Sequence, residues 1–143
     1  KLMVAVLTLV AFTAVANAQS LGDRKKWGKQ DDYFKQEVEK TSKKCGMDFT
    51  FEIKWSTLKD SNYRDGETSA YGYCSDMTNQ VYNLCGEEMG KEAVKKNIKK
   101  FVCEFGKKGG RKASLSGGTL TYQVDFDAVN NGDFMKEFLE AHM

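Results

Sequence analysis

Met47, Phe49, Phe51, Ile53 and Trp55 alternate without a fault with Asp48, Thr50, Glu52 and Lys54. A period of two over this length predicts a strand with one buried and one wet face. Ahead of it, Phe34, Val38 and Cys45 fall on one face of a helix, with Thr41 between them. Asp31 and Asp32 open that helix at its positive end, Lys40, Lys43 and Lys44 stand at its negative end, and Gly46 stops it. Residues 56–66 are a polar connection, and Glu67 to Tyr73 reads as a partner strand with Ser69, Tyr71 and Tyr73 on one side. Gly72 weakens that strand.

Ser75 is a good cap for a second helix, in which Met77, Val81, Leu84 and Cys85 share a face that Met89 would extend. Gly86 and Gly90 mark a break or kink, and helical character resumes from Lys91 to Asn97. Phe101, Cys103 and Phe105 then alternate with Lys100, Val102 and Glu104. These residues also fit a prolonged helix through Val94 and Ile98, but the turn and strand-like runs that follow favour a strand. Gly106 to Gly110 is a turn, Arg111 to Ser116 a short strand, Gly117-Gly118 a hairpin turn, and Thr119 to Phe126 another strand. After the loop Asn130-Asn131-Gly132, Asp133 caps a last helix with Phe134, Phe138 and Leu139 as its apolar stripe. The pattern predicts a two-layer α+β domain of order α-β-β-α-β-β-β-α, with about three helices on an antiparallel sheet of about four to five strands.

The N-terminus changes how the rest is read. Lys1, the apolar run Leu2 to Val15 and the small-x-small Ala16-Asn17-Ala18 predict a cleaved export signal over residues 1–18. The apolar run is shorter than the roughly 20 residues of a membrane-spanning helix, so no span is expected after cleavage. Residues 19–30 are polar and without clear period, predicting a flexible arm anchored by Trp27, and residues 31–143 then make a single domain. Secretion or a periplasmic location follows, and with it an oxidising environment for the thiols.

Cys45, Cys74, Cys85 and Cys103 therefore predict two structural disulfides, with three possible pairings. Along one continuous helix Cys74 and Cys85 would lie about 16 Å apart, beyond the roughly 7 Å reach of a disulfide. An antiparallel hairpin of Met47–Trp55 with Glu67–Tyr73 would bring Cys45 to Cys74. A helix turning into the next strand near Asn97 would place Cys85 about 18 Å down the helix and Cys103 about 17 Å back along the strand. The expected pairs are thus Cys45–Cys74 and Cys85–Cys103.

Candidate chemistry is sparse. There is one histidine, His142, and no Cys-x-x-Cys, Gly-x-Ser-x-Gly, P-loop or His-Glu-x-x-His. No metal or cofactor is expected. Asp125 and Asp127 share the polar side of a strand, but a solvated strand end accounts for them. A net charge of +2, or +1 without Lys1, gives no mandate for nucleic acid. The charge is nonetheless polarised. Lys91, Lys95, Lys96, Lys99, Lys100, Lys107, Lys108, Arg111 and Lys112 are opposed only by Glu92 and Glu104, whereas residues 125–143 are acidic. From this run, Lys95, Lys96, Lys99, Lys100, Lys107, Lys108, Arg111 and Lys112 form a candidate anion-binding face. Trp55, Tyr63, Tyr71 and Tyr73 form a candidate interface patch. The leading expectation is a small exported, disulfide-stabilised, non-catalytic binding module with a basic face for an anionic envelope or matrix component or an acidic protein. The alternatives are a small exported enzyme using carboxylates, or an inhibitor of a secreted hydrolase.

Overall fold

Period-two residues Phe101, Cys103 and Phe105 are buried together with Leu120, Tyr122 and Val124 of a neighbouring strand, and they form the floor of the core. The computed structural model describes residues 21–58 and 70–143. The expected export signal, Tyr63 and residues 67–69 of the expected second strand lie outside the described residues. The chain runs α1 (Leu21–Cys45), β1 (Thr50–Ile53), a short 3₁₀ turn (Trp55–Thr57), α2 (Ala70–Leu84), α3 (Glu88–Asn97), β2 (Lys100–Phe105), β3 (Lys112–Ser116), β4 (Thr119–Val124) and α4 (Asn131–His142). The result is α+β, with four helices and a four-stranded sheet of order β1-β2-β4-β3 among the described residues.

The sheet is mixed, not antiparallel as expected. β1 pairs with β2 and β2 with β4 in parallel, and only β3 runs antiparallel, against β4. β1 finds its partner across the α2–α3 crossover instead of in the next segment. The hairpin at Gly117-Gly118 forms as its sequence requires. Both glycines hold positive φ, 55° and 78°, which a two-residue turn of this twist demands.

The expected second strand is absent at Ala70–Tyr73, which forms the first turn of α2. Tyr71 and Tyr73 alternate, but Ala70, Cys74, Met77, Thr78 and Val81 repeat at helical spacing, and all five are buried. The longer period wins because it buries the larger stripe. The element order becomes α-β-α-α-β-β-β-α. α2 and α3 separate where expected, because a Cβ on Gly90 would run into the Leu84 carbonyl oxygen.

Residues from Leu21 onward are helical, as part of α1. Tertiary contacts replace the missing apolar period. Trp27 stacks on Trp55 with centroids 4.7 Å apart. Gln30 is buried, and its Oε1 accepts the Tyr71 N–H at 3.1 Å, satisfying an otherwise open donor at the start of α2.

Phe34 and Val38 of α1, Met77 and Val81 of α2, and Met135 and Leu139 of α4 share one core with the sheet. Among the described residues no helix covers the opposite sheet face. That face carries the ion pairs Lys54–Glu104 (2.5 Å) and Lys100–Glu52 (2.7 Å). Val102 is 5% exposed there despite facing outward, since long charged side chains flank it.

The disulfides are Cys45–Cys85 and Cys74–Cys103, so neither expected pair forms. The expected pairs assumed a hairpin after β1 and a single helix up to residue 97. With Cys74 just past the first turn of α2 and that helix antiparallel to β2, Cys74 lies over Cys103. Cys85, just past the other end of α2, meets the last residue of α1. All four cysteines are buried, and the bonds fit an oxidising environment.

Candidate functional site

Lysines collect where α1 ends. Lys43 and Lys44 occupy its last turn, where the helix dipole favours cations. Gly46, at φ 67°, turns the chain away, and the Gly46 and Met47 N–H groups both donate to the Ser42 carbonyl. The Cys45–Cys85 bond fixes this end beside the start of α3. There the Lys91 side chain passes Gly46 so closely that a Cβ on the glycine would touch its Cε at 3.7 Å. Lys95 and Lys96 follow in the last turn of α3. Lys99 Nζ donates to the Lys95 carbonyl at 2.6 Å, and the Lys99 carbonyl accepts the Thr50 N–H at 3.1 Å. The ends of α1 and α3 and the starts of β1 and β2 thus meet at one end of the molecule.

The charge of this end is only partly compensated. Lys95 pairs with Glu92 at 3.7 Å and Lys40 with Glu37 at 3.9 Å. Lys100 pairs with Glu52, a hydrogen bond that lowers the Glu52 pKa. Among the described residues, Lys43, Lys44, Lys91 and Lys96 form no ion pair. Lys40 and Lys44 hold their ammonium groups 5.1 and 5.6 Å from the Tyr82 ring centroid. With Gln36, Glu39 and Lys43 these three residues line an open groove of about 450 Å³. The arrangement offers ammonium donors around an aromatic face, which suits a multiply charged anion.

The eight expected basic residues do not form one face. Lys95, Lys96, Lys99 and Lys100 lie at the start of β2, Lys107 and Lys108 lie beyond its other end, about 17 Å along the strand, and Arg111 and Lys112 lie near that end on the far side of β4. Arg111 is committed to structure. Its Nη1 donates to the Val129 carbonyl (2.6 Å) and Asn131 Oδ1 (3.0 Å), and its guanidinium sits 4.5 Å from the Phe134 centroid. Lys108 reaches Asp127 at 3.9 Å in an exposed pair worth little. The α1 lysines took no part in the expected face, because nothing in the chain places residue 44 beside residue 91.

Trp55, Tyr71 and Tyr73 are half-buried and packed rather than presented. Trp55 lies between Trp27 and Phe105, its Nε1–H donating to Asp31 Oδ1 at 2.9 Å. Tyr73 meets Phe126 edge-on, and Tyr71 stacks on Tyr33, which is 51% exposed. These rings close the core where the parallel strands end.

Asp125 is also structural. Its carboxylate accepts the Gly109 N–H at 2.6 Å and the Asp127 N–H at 3.0 Å. Tyr122 donates to Asn131 Oδ1 at 3.0 Å, and burial, reinforced by Asp76, keeps its hydroxyl protonated. Asp76 faces the start of α4, where a Cβ on Gly132 would come within 4.0 Å of its Oδ1. Burial raises the Asp76 pKa above 3.8. A raised folded-state pKa contributes stability below the unfolded value and loses it as pH rises through the folded one. Asp76→Asn is therefore expected to raise the melting temperature at about pH 7 and leave it nearly unchanged at about pH 3. The gain should not exceed about 1 kcal/mol at this half-exposed site. Thermal unfolding at both pH values checks this, and a lower melting point at neutral pH would show the carboxylate to be a net stabiliser.

No family model, curated protein or solved structure matches this chain.

Proposed function

We propose that this chain is an exported, non-catalytic binding module, secreted or periplasmic, that engages an anionic partner through the lysine-rich end built by α1, α3 and β2. The observation that carries this reading is the convergence of Lys43, Lys44, Lys91 and Lys96, which lack ion pairs among the described residues, around a junction locked by Cys45–Cys85. Export is supported by the signal-like N-terminus and two buried disulfides. Among the described residues, no helix is long and apolar enough to cross a membrane. The partner class is an anionic envelope or matrix component, or an acidic protein surface.

Dextran sulfate serves as a probe. Binding is expected at low ionic strength and should weaken steeply as salt shortens the Debye length from about 30 Å at 0.01 M to about 8 Å at 0.15 M. The double variant Lys43→Glu/Lys91→Glu should bind at least about tenfold more weakly, a loss of about 1.4 kcal/mol. Lys107→Glu, at the opposite end of the sheet, should change little. Absence of binding at low salt, or equal losses from both ends, would reject this surface.

A further inference from the structure

Among the described residues β3 is an outer strand of the sheet, with one edge unpaired. Natural edges are commonly blunted by charge, proline or a bulge. β3 carries one charge, Lys112 at its first position, whereas Ala113 to Gly118 carries neither charge nor proline, and β3 pairs with β4 in unbroken register. The two-residue turn decides which backbone groups face outward. Ser116 and Thr119 flank it and exchange both hydrogen bonds, so Lys112, Ser114 and Ser116 point their N–H and C=O groups inward to β4. Ala113 and Leu115 point theirs away from the sheet. Their side chains are half-buried on the helix side, next to half-buried Phe134 and Phe138 of α4.

We infer that this edge pairs with β3 of a second copy, forming a two-fold dimer with a continuous eight-stranded sheet. An axis through Ser114 sets Ala113 of one copy opposite Leu115 of the other, and each such pair exchanges both its hydrogen bonds. The strand is self-complementary in this register. Lys112 falls opposite Ser116 of the second copy, so no like charges meet across the strands.

The charge around the edge favours the same occupant. Arg111 holds the first turn of α4 through Asn131 and Phe134, at the start of β3. The far end of α4, with Leu139 and Met143, shares a groove with Leu84 at the C-terminal end of α2 and Met89 at the start of α3. α4 therefore runs alongside β3 toward the hairpin. A two-fold axis brings the basic turn before β3, with Lys107, toward the latter half of the second copy's α4. That half carries Glu137 and the negative end of its helix dipole. The acidic C-terminal segment and the second half of the basic run thereby become complementary surfaces. The assembly would carry two lysine-rich ends, which adds avidity toward a repeating polyanion.

Sedimentation velocity of the oxidised chain tests this without any ligand, so its result is independent of anion binding. Loading from about 2 to about 200 μM should show a monomer–dimer equilibrium that weakens with salt. Ala113→Pro removes an outward N–H while leaving the β4 pairing intact, since an edge strand tolerates proline there. It should raise the dimer dissociation constant at least about tenfold. Leu115→Lys places a charge at the same contact, should act alike, and serves if the proline variant does not fold. A monomer over the whole range overturns the inference, as does a dimer unaffected by the folded variants.

Discussion

Replacing Cys74 and Cys103 together by alanine is expected to destabilise the oxidised protein by about 3.5 kcal/mol. The bond closes a sequence separation of 29 residues, and in the chain-entropy account the cost grows with the logarithm of that length. It also ties the N-terminal half of α2 to the second half of β2, at positions without exposure, so the substitution leaves space in the core as well. The Cys45–Cys85 pair, with a separation of 40, should cost slightly more, about 4 kcal/mol. Removing both bonds would consume much of the roughly 5–15 kcal/mol that stabilises a typical domain, so reduction should unfold the chain. Urea midpoints at unchanged slope measure these losses. Peptide mapping without reduction should join the Cys45 peptide to the Cys85 peptide, and a Cys45–Cys74 peptide would refute the connectivity. The two bonds should also differ in function. Only loss of Cys45–Cys85 frees the end of α1 from α3, so it should weaken dextran sulfate binding in protein that remains folded.

Phe101→Ala is the second large effect, expected to cost about 3–5 kcal/mol. Phe101 is fully buried in β2, level with Phe51 of β1 and Leu120 of β4, and its ring lies 4.9 Å from that of Phe49. Truncation leaves a cavity that rigid strands on both sides cannot close. Val102, the next residue, is almost as buried but faces the open side under charged side chains. Val102→Ala should cost below about 1.6 kcal/mol, the transfer value of the methylene-sized groups removed. The ratio of the two losses in chemical unfolding reports which sheet face holds the core. Equal losses would contradict the two-layer arrangement.

Elements whose signals lie within a few residues were legible in the chain. The Gly117-Gly118 hairpin and the alternation of β2 are local patterns, and each appears where expected, whereas α4 forms but buries Met135 with Leu139 and leaves Phe134 and Phe138 half-buried. α1 was legible only from its apolar stripe onward. Its first turns from Leu21 lack that stripe, and Trp27 against Trp55 and Gln30 against Tyr71 supply contacts that no local window contains. Tyr71 and Tyr73 misled because two alternating residues mimic a strand, while the helical repeat from Ala70 to Val81 needs a longer window. The candidate site was half legible. Lys91, Lys95, Lys96, Lys99 and Lys100 stand near one another in sequence and in space, but the second half of the run sits at the far end of β2, and Lys43 and Lys44 join from α1.

By itself the sequence determined which side of most elements is apolar, where the hairpin turns, and that two disulfides are available. These follow from covalent spacing, since side-chain direction repeats every two or about 3.6 residues regardless of what lies opposite. Only the tertiary structure decided that β1 and β2 run parallel, that Cys45 meets Cys85 and Cys74 meets Cys103, and which lysines share an end. Those outcomes depend on the direction in which each element is laid against the next. Laying α2 antiparallel to β2 carries its two ends, and the cysteines at them, to opposite ends of the sheet.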